Sequence, residues 1–506
     1  MKLLPKSGFK VAALKIINVF LENRVGKWLI WRYAQKLVSV QRKLGSRAQG
    51  TVYLFPHGDS GNRLLHGIFS ETLSLRGFPA EVVGAKPRWV KEWQESRDYL
   101  NFPKGDKNFE SFADAIEFLE SFASGDQMLA RGIIDEFMRW CPTDFFEGNY
   151  RISHAFLEKV GLDTFSARRA LADASGVVIG ESAYVYNRAL VSVAEKRGVP
   201  LWVLNTGGGW ARADGARDEN FSPISFTEIS ERLQREPDLL AKAKAYVDQR
   251  FAGLSNLDLD SANAFSGSSL PDRLRQKKIL ALHAFRDATQ LPIGGSGPSR
   301  ESWFKTFYEW ADFVFSHISD SAEDWAIRPH PSARLYRGDS EILEGLLRRY
   351  GLQGIDRADG VSTAAILENR LPVYTHNGTI SVETAIFGYR SFVCSNLYPE
   401  EITVFTRTKE ELSAALSLPF RDATPQIAPE ITVDQLTVLL YDRFHPPLRE
   451  LRPPYGDNRS SPWAREKANF LRLKFYLWRF ITQRDKELIR SATNEIVEAV
   501  MRTHQE

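Results

Sequence analysis

Residues 371–395 read LPVYTHNGTISVETAIFGYRSFVCS, and the order of residue types along this stretch decides the fold class. Leu371 to Thr375 is a short apolar run, Asn377-Gly378 is a turn signal, and Val382, Ala385 and Ile386 recur at helical spacing. Gly388 stands where such a helix ends, and Ser391 to Cys394 starts another buried run. Strand, glycine turn, helix and strand in that order make an α/β unit. A strand that feeds a helix through a glycine turn aims free backbone N–H groups and the positive end of the helix dipole at one spot. The hydroxyls of Thr379 and Ser381 stand beside it. A phosphate suits that spot, although the same pattern also occurs in α/β units that bind nothing.

Working outward, the same half of the chain repeats the pattern. Lys278 to Phe285 (KILALHAF) opens as a strand, the turn-rich PIGGSGP follows, and SWFKTFYEWADFVFSHI reads as an amphipathic helix. Trp303, Phe307, Trp310, Phe313 and Val314 on that helix form a core face. Asp324 to Ile327 is the next strand and ends in Arg328-Pro329-His330-Pro331-Ser332. The two prolines fix the backbone and hold His330 outward on a rigid turn. Arg328 is always cationic, and His330 can donate to a phosphate oxygen or carry a proton. A convergent anion site with the Thr379 turn is one reading, and a structural histidine in a proline turn is the other. A helix over Ser340 to Tyr350, the loop Asp359-Gly360-Val361-Ser362-Thr363 and a helix over 364–369 complete this half.

The first half opens in a similar way. Thr51 to Phe55 (TVYLF) is a β-rich run followed by PHGDSGNR and a helical pattern to about Leu75, and Ala80 to Val83 is the next strand. His57 and Asp59 follow the first strand, at the carboxyl end where open α/β sheets bind ligands, or else they form a polar turn. A helix through ARRALADA leads to the strand GVVIG, and Glu181 comes directly after it. Glu181 is either a partly desolvated base or an acid favoured at a helix N-terminus. Residues 85–165 are aromatic-rich and mixed helical, with no chemistry assigned.

At 506 residues the chain exceeds one ordinary core, and 43% hydrophobic with 25% charged residues is a globular composition. The expected division is 1–47 basic amphipathic helices, 48–254 a first α/β domain, 255–271 a Ser/Asn/Asp/Gly-rich linker, 272–440 a second α/β domain and 441–506 terminal helices. The net charge of +3 hides an uneven distribution, because residues 1–47 carry eleven basic side chains against the single acid Glu22. Tryptophan, phenylalanine and isoleucine interleave with them, which suits an anionic membrane face or packing on the domain behind. Residues 463–490 are also basic and aromatic, fit either to cross back to the first domain or to touch lipid. Cys141 and Cys394 make no metal or redox spacing and read as reduced thiols of a cytosolic protein. With no long apolar run and no secretory signal, a cytoplasmic location, peripheral on the inner face of the cell membrane, is expected.

Five segments in order, LALHAFRDA (280–288), EWADF (309–313), RPHPS (328–332), DGVST (359–363) and THNGTISVETAIFG (375–388), resemble the capsule-polysaccharide biosynthesis group of bacterial glycosyltransferases. That resemblance implies the GT-B architecture: two Rossmann-like domains facing a cleft, flanked here by basic amphipathic helices. It implies that His330, with Arg328 and Ser332 nearby, contacts the donor phosphate, that Asn377, Gly378, Thr379 and Ser381 meet it from the helix start, and that Glu383 reaches ribose or base. Related enzymes with this motif often use CMP-linked donors such as CMP-Kdo or CMP-sialic acid. The nucleotide sugar is then a substrate, no cofactor and no nucleic acid is expected, and the acceptor is a polysaccharide or glycolipid. No D-x-D-like metal motif stands near the donor elements, so transfer is expected to be metal-independent and inverting. Glu181, Asp59 or His57 would be the base. The first half matches no pattern. A CDP-alcohol phosphotransferase of the teichoic-acid type, a sugar-nucleotide epimerase and a non-catalytic membrane-associated assembly factor are the competing readings.

Overall fold

The computed structural model describes residues 51–55, 73, 80–82, 105–172, 174–180, 185–204, 210–212, 225–253, 264–265, 267–286, 304–331, 333, 336–395 and 398–444. His57, Asp59, Glu181, Trp303 and Ser332, both terminal basic segments and most of the expected linker lie outside them.

The fold is mixed α/β and is built on two parallel-rich sheets. The first contains β1 (Thr51–Phe55), β2 (Ala80–Val82), β5 (Ala174–Ile179), β6 (Leu201–Leu204) and β7 (Trp210–Arg212), in the order β2-β1-β5-β6-β7 with β7 antiparallel to β6. A separate hairpin pairs β3 (Lys107–Asn108) with β4 (Arg151–Ile152). Among the described residues the helices between these strands in sequence are α1 (Phe112–Ser121), α2 (Gln127–Trp140), α3 (His154–Ala170) and α4 (Val185–Arg197). The described part of the aromatic stretch that the sequence left without chemistry, residues 105–165, thus forms α1, α2, the hairpin and the start of α3. Val52 and Leu54 are buried along with Tyr53 and Phe55, as expected where helices cover both faces of a parallel sheet.

The second sheet comprises β8 (Lys278–Ala281), β9 (Trp325–Arg328), β10 (Asp356–Arg357), β11 (Val373–Thr375), β12 (Ser391–Val393) and β13 (Thr403–Phe405). Its order is β10-β9-β8-β11-β12-β13, and every neighbouring pair is parallel. The chain therefore starts in the middle, builds outward to β10, returns to the other side of β8 and builds outward again. This is the doubly wound Rossmann order, and its direction reverses between β8 and β11.

Its helices are α5 (Phe226–Arg235) and α6 (Leu239–Phe251) before the sheet, then α7 (Phe307–Ile318), α8 (Asp339–Arg349), α9 (Thr363–Glu368), α10 (Ile380–Ile386), α11 (Lys409–Leu416) and α12 (Val433–Phe444). Thr306 caps α7 by accepting from the Glu309 N–H, and the aromatic stripe of α7 faces inward with Phe307, Trp310 and Val314 buried. Helices α5 and α6 precede the expected boundary at 254. They nevertheless share one apolar cluster with α10 and α12, through Ile229, Tyr246, Val382 and Leu439. The described end of the expected linker is also packed: Phe265 is buried, and Ser268 bridges to Val361.

A continuous apolar cluster joins the two sheets. Phe112 and Phe146 bring their rings to 4.9 and 4.8 Å from Tyr308, whose hydroxyl donates to the Phe146 carbonyl at 3.0 Å. Arg286, following β8, donates to the Cys141 carbonyl at 2.6 Å and to Thr143 Oγ1 at 3.1 Å. Both thiols are buried, and burial pushes each up to about 12. Among the described residues no helix is long and apolar enough to cross a membrane.

Candidate functional site at the sheet reversal

The chain reversal between β8 and β11 leaves a crevice at their carboxyl ends, because successive connections depart to opposite sides. Two loops border it. Leu282, His283, Ala284, Phe285 and Arg286 continue from β8, and His376, Asn377, Gly378 and Thr379 continue from β11. The turn after β9 lies alongside with Pro329 and His330. Most of these residues are buried, but His283, Pro329, His330, Gly378 and Thr379 keep partial exposure, so these five form the accessible lining.

The loops are fastened to each other. His283 Nε2 lies against the Asn377 carbonyl oxygen, which can only accept, so Nε2 carries the proton and Nδ1 is the basic nitrogen of that ring. Thr375 Oγ1 donates to the same carbonyl at 2.9 Å. Gly378 follows with φ +151, and a Cβ on it would stand 3.3 Å from His283 Nε2. Both the backbone angle and the close approach of the imidazole therefore require glycine at this turn. Helix α10 then runs to Gly388, whose φ of +82 closes it with a bond to the Ala385 carbonyl.

His330 stacks on His283 with ring centroids 5.4 Å apart and an interplanar angle of 15°. Burial above all, with the nearby charges of His283 and Arg328, pushes the His330 imidazole down to about 3. His376 is fully buried beneath, edge-on to Phe307 and Trp310, and burial pushes it down to about 3 as well. Burial thus favours the neutral, hydrogen-bonding form of His330, one of the two roles read from the sequence.

Two other expected ligand contacts are turned inward. The Arg328 guanidinium is buried and donates to the carbonyls of Ala264 at 2.9 Å and Ala358 at 3.0 Å, to that of Val361, and to Thr363 Oγ1 at 2.8 Å. It ties the end of the linker to the DGVST loop, and no hydrogen-bond donor of its two Nη groups is directed at a phosphate. Burial draws it down to about 10, so it stays charged. Glu383, expected at ribose or base, is buried and accepts from Arg250 Nε at 3.0 Å and Nη2 at 2.6 Å. Arg250 also lies over the Phe265 ring at 5.0 Å.

The remaining expected residues are split. Asn377, Gly378 and Thr379 border the crevice. Thr379 precedes α10 with helical backbone angles, and its hydroxyl makes no cap. The N–H groups of Gly378, Thr379 and Ile380 donate to no described residue, and the fully buried Ser381 Oγ has no partner among the described residues. His283 was missed by the sequence reading. Its signal was a lone polar residue just past the first strand of the second sheet, decisive only once the strand order is known. Among the described residues no group of three or more His, Cys, Asp or Glu side chains could hold a metal ion.

No family model and no curated protein matches the chain. Among solved structures it is similar to the UDP-GlcNAc 2-epimerase of Methanocaldococcus jannaschii in complex with UDP-GlcNAc and UDP, at 12% identity and a TM-score of 0.27, covering 77% of this chain and 98% of that one.

Proposed function

We propose that the chain is a GT-B-type glycosyltransferase, which holds a nucleotide-activated sugar at the carboxyl edge of the second sheet and moves the sugar to a surface polysaccharide or glycolipid. The observation that carries the donor site is the meeting of His283, His330 and the Asn377–Thr379 turn at the point where the strand order reverses. Partly exposed hydrogen-bonding rings and backbone N–H groups converge there, which is the chemistry that receives a phosphate. The five ordered segments support sugar transfer as the reaction class.

In this reading the donor's phosphate lies over His330 and the Gly378–Thr379 backbone, with Ser381 behind it, and Ser332 is a further candidate contact. Arg328 and Glu383 hold the surrounding loops. A base that follows the strands of the first sheet, drawn from His57, Asp59 and Glu181, removes the proton of the acceptor hydroxyl. The acceptor oxygen bonds to the anomeric carbon as that carbon's bond to the phosphate oxygen breaks, and the nucleotide leaves with the electron pair. The first sheet then serves the acceptor. The basic, aromatic segments 1–47 and 463–490 are the candidates for contact with an anionic membrane surface.

The test is a thermal-shift screen with CMP, CDP, UDP, GDP and their sugars, followed by product analysis with the nucleotide sugar that stabilises most. A new glycosidic bond with release of nucleotide supports transfer. A phosphodiester product indicates a phosphotransferase, conversion of the donor alone indicates an epimerase, and the absence of any nucleotide binding indicates an assembly factor. Each of the last three overturns the reading.

A further inference from the structure

Trp140, the last residue of α2, is 69% exposed, whereas Trp202, Trp310 and Trp325 are at most 1% exposed. The backbone on either side of it is held. Arg286 Nη1 donates to the Cys141 carbonyl at 2.6 Å and to that of Arg139 at 3.4 Å, and Arg286 Nη2 donates to Thr143 Oγ1 at 3.1 Å. Asp339 Oδ1 in turn accepts from the Arg286 backbone N–H at 2.9 Å. Gly338, with φ +84, fits so closely that a Cβ on it would stand 2.6 Å from Thr143 Oγ1. The exposed ring is therefore mounted on a fixed helix end, and its neighbours come from both halves of the chain. The Arg139 guanidinium lies 6.0 Å from the Trp140 ring centroid and 5.4 Å from that of Tyr336.

We propose that Trp140, with Arg139 and Tyr336 beside it, is a saccharide-binding platform; that its saccharide is the acceptor rests on the transfer reading above. Two loops from the carboxyl edge of the second sheet lead to it. Arg286 ends the loop from β8 that carries His283. Tyr336 follows His330 through successive turns, in which the Ala333 N–H donates to the His330 carbonyl and the Tyr336 N–H to the Ala333 carbonyl, each at 3.0 Å. The platform thus stands where the first half of the chain meets the edge that carries the candidate donor crevice. A pyranose presents a face of C–H groups with hydroxyls round its edge. Laid on an aromatic ring, that face leaves water while the hydroxyls stay at the rim, where an indole N–H can donate to them. The other exposed large apolar side chain among the described residues, Val433, belongs to α12. A docked protein or a bilayer needs several apolar side chains together, whereas a sugar needs one flat ring with polar neighbours. A ring whose backbone is already fixed also loses less freedom on binding.

The experiment is titration of the full chain with maltohexaose, chitohexaose and hexagalacturonate, followed by saturation-transfer NMR and calorimetry, with CMP, CDP, UDP and GDP titrated in parallel. At least one saccharide is expected to bind, with saturation passing to its C–H protons. Trp140→Ala is expected to weaken that saccharide about tenfold, Trp140→Phe to recover most of the loss by keeping a flat ring, and Tyr336→Ala to weaken it about threefold. Because the ring is exposed, Trp140→Ala should melt within about 2 °C of the unaltered chain, which separates lost binding from lost fold. Binding of none of the three saccharides at up to about 10 mM, or an affinity unchanged in Trp140→Ala, overturns the platform. Phosphatidylglycerol vesicles that bind the unaltered chain and not Trp140→Ala, with no saccharide bound, overturn it in favour of a membrane contact. Nucleotide binding without saccharide binding overturns the platform and leaves the donor site standing. Saccharide binding that depends on Trp140, without nucleotide binding, supports the platform and overturns the transfer reading.

Discussion

Replacing Glu383 by alanine separates two roles for this side chain, a ligand to ribose or base and an internal counter-ion. The structure places its carboxylate against Arg250, with both side chains 3–4% exposed, and also within the field of the Arg328 guanidinium. Removing the carboxylate leaves one guanidinium buried without its partner and a second without its nearest opposing charge. Breaking a buried pair from one side costs about 3–5 kcal/mol. At about 2–4 °C per kcal/mol, the melting temperature should fall by roughly 10 °C. Thermal unfolding followed by circular dichroism, with urea unfolding alongside, measures the loss. The Arg250→Met/Glu383→Leu variant removes both charges and is expected to recover most of the stability, since an apolar replacement of a whole buried pair is close to neutral. A Glu383→Ala protein that melts within a degree or so of the unaltered chain, yet no longer binds nucleotide, would refute the counter-ion role.

Gly378→Ala places a Cβ at φ +151 and 3.3 Å from His283 Nε2, so it is expected to cost about 1–3 kcal/mol and to weaken nucleotide binding more than Gly360→Ala, where nothing lies within 4 Å. Unchanged binding would show that the turn does not meet the ligand. Lys278 is buried in β8, donates to the carbonyls of Leu416 at 2.9 Å and Leu418 at 3.1 Å, and lies 4.4 Å over the Trp325 ring. Lys278→Met therefore strands two acceptors and should lower stability by about 2 kcal/mol in urea unfolding with binding intact. His330 and His376, both pushed down to about 3, stay neutral in the fold, while the unfolded chain takes up their protons below about pH 6.5. The unfolded state then binds more protons, so stability falls as pH drops from about 6.5 towards 3, by up to about 2.7 kcal/mol per pH unit from this pair. His376→Gln should halve that contribution, and an unaltered slope would contradict it.

Much of the second sheet can be read in the sequence because a parallel strand covered on both faces has to be a continuous apolar run. Ile279 to Ala281 and Val373-Tyr374 satisfy that requirement, with Lys278 and Thr375 at the strand ends, and in the first sheet TVYLF coincides with β1. The turn at Asn377-Gly378 and the stop at Gly388 are legible for a different reason, since each needs a backbone angle that glycine supplies. Arg328 was not legible. A basic residue at a strand end looks the same in sequence whether it faces a ligand or four protein oxygens, and here those oxygens come from Ala264, Ala358, Val361 and Thr363. Glu383 and its partner are 133 positions apart, so the ion pair leaves no local trace. His283 required the strand order. Only a sheet that starts at β8 and reverses towards β11 makes the residue after the first strand a neighbour of the turn nearly a hundred positions later.

Arg328 faces inward and commits the donors of both Nη groups to protein oxygens. Hydrogen bonds to carbonyls satisfy the donors of a guanidinium without cancelling its charge. The carboxylates of Glu383 and Asp359 act on Arg328 from nearby, and Glu383 is itself engaged by Arg250. Burial above all disfavours a proton on His330, and the nearby charge of Arg328 adds to that effect. An arginine reaching outward would supply attraction without fixing the loops, because its side chain would first have to be ordered by the ligand. Tying Arg328 to the 264 segment and to the DGVST loop fixes these two segments against the end of β9.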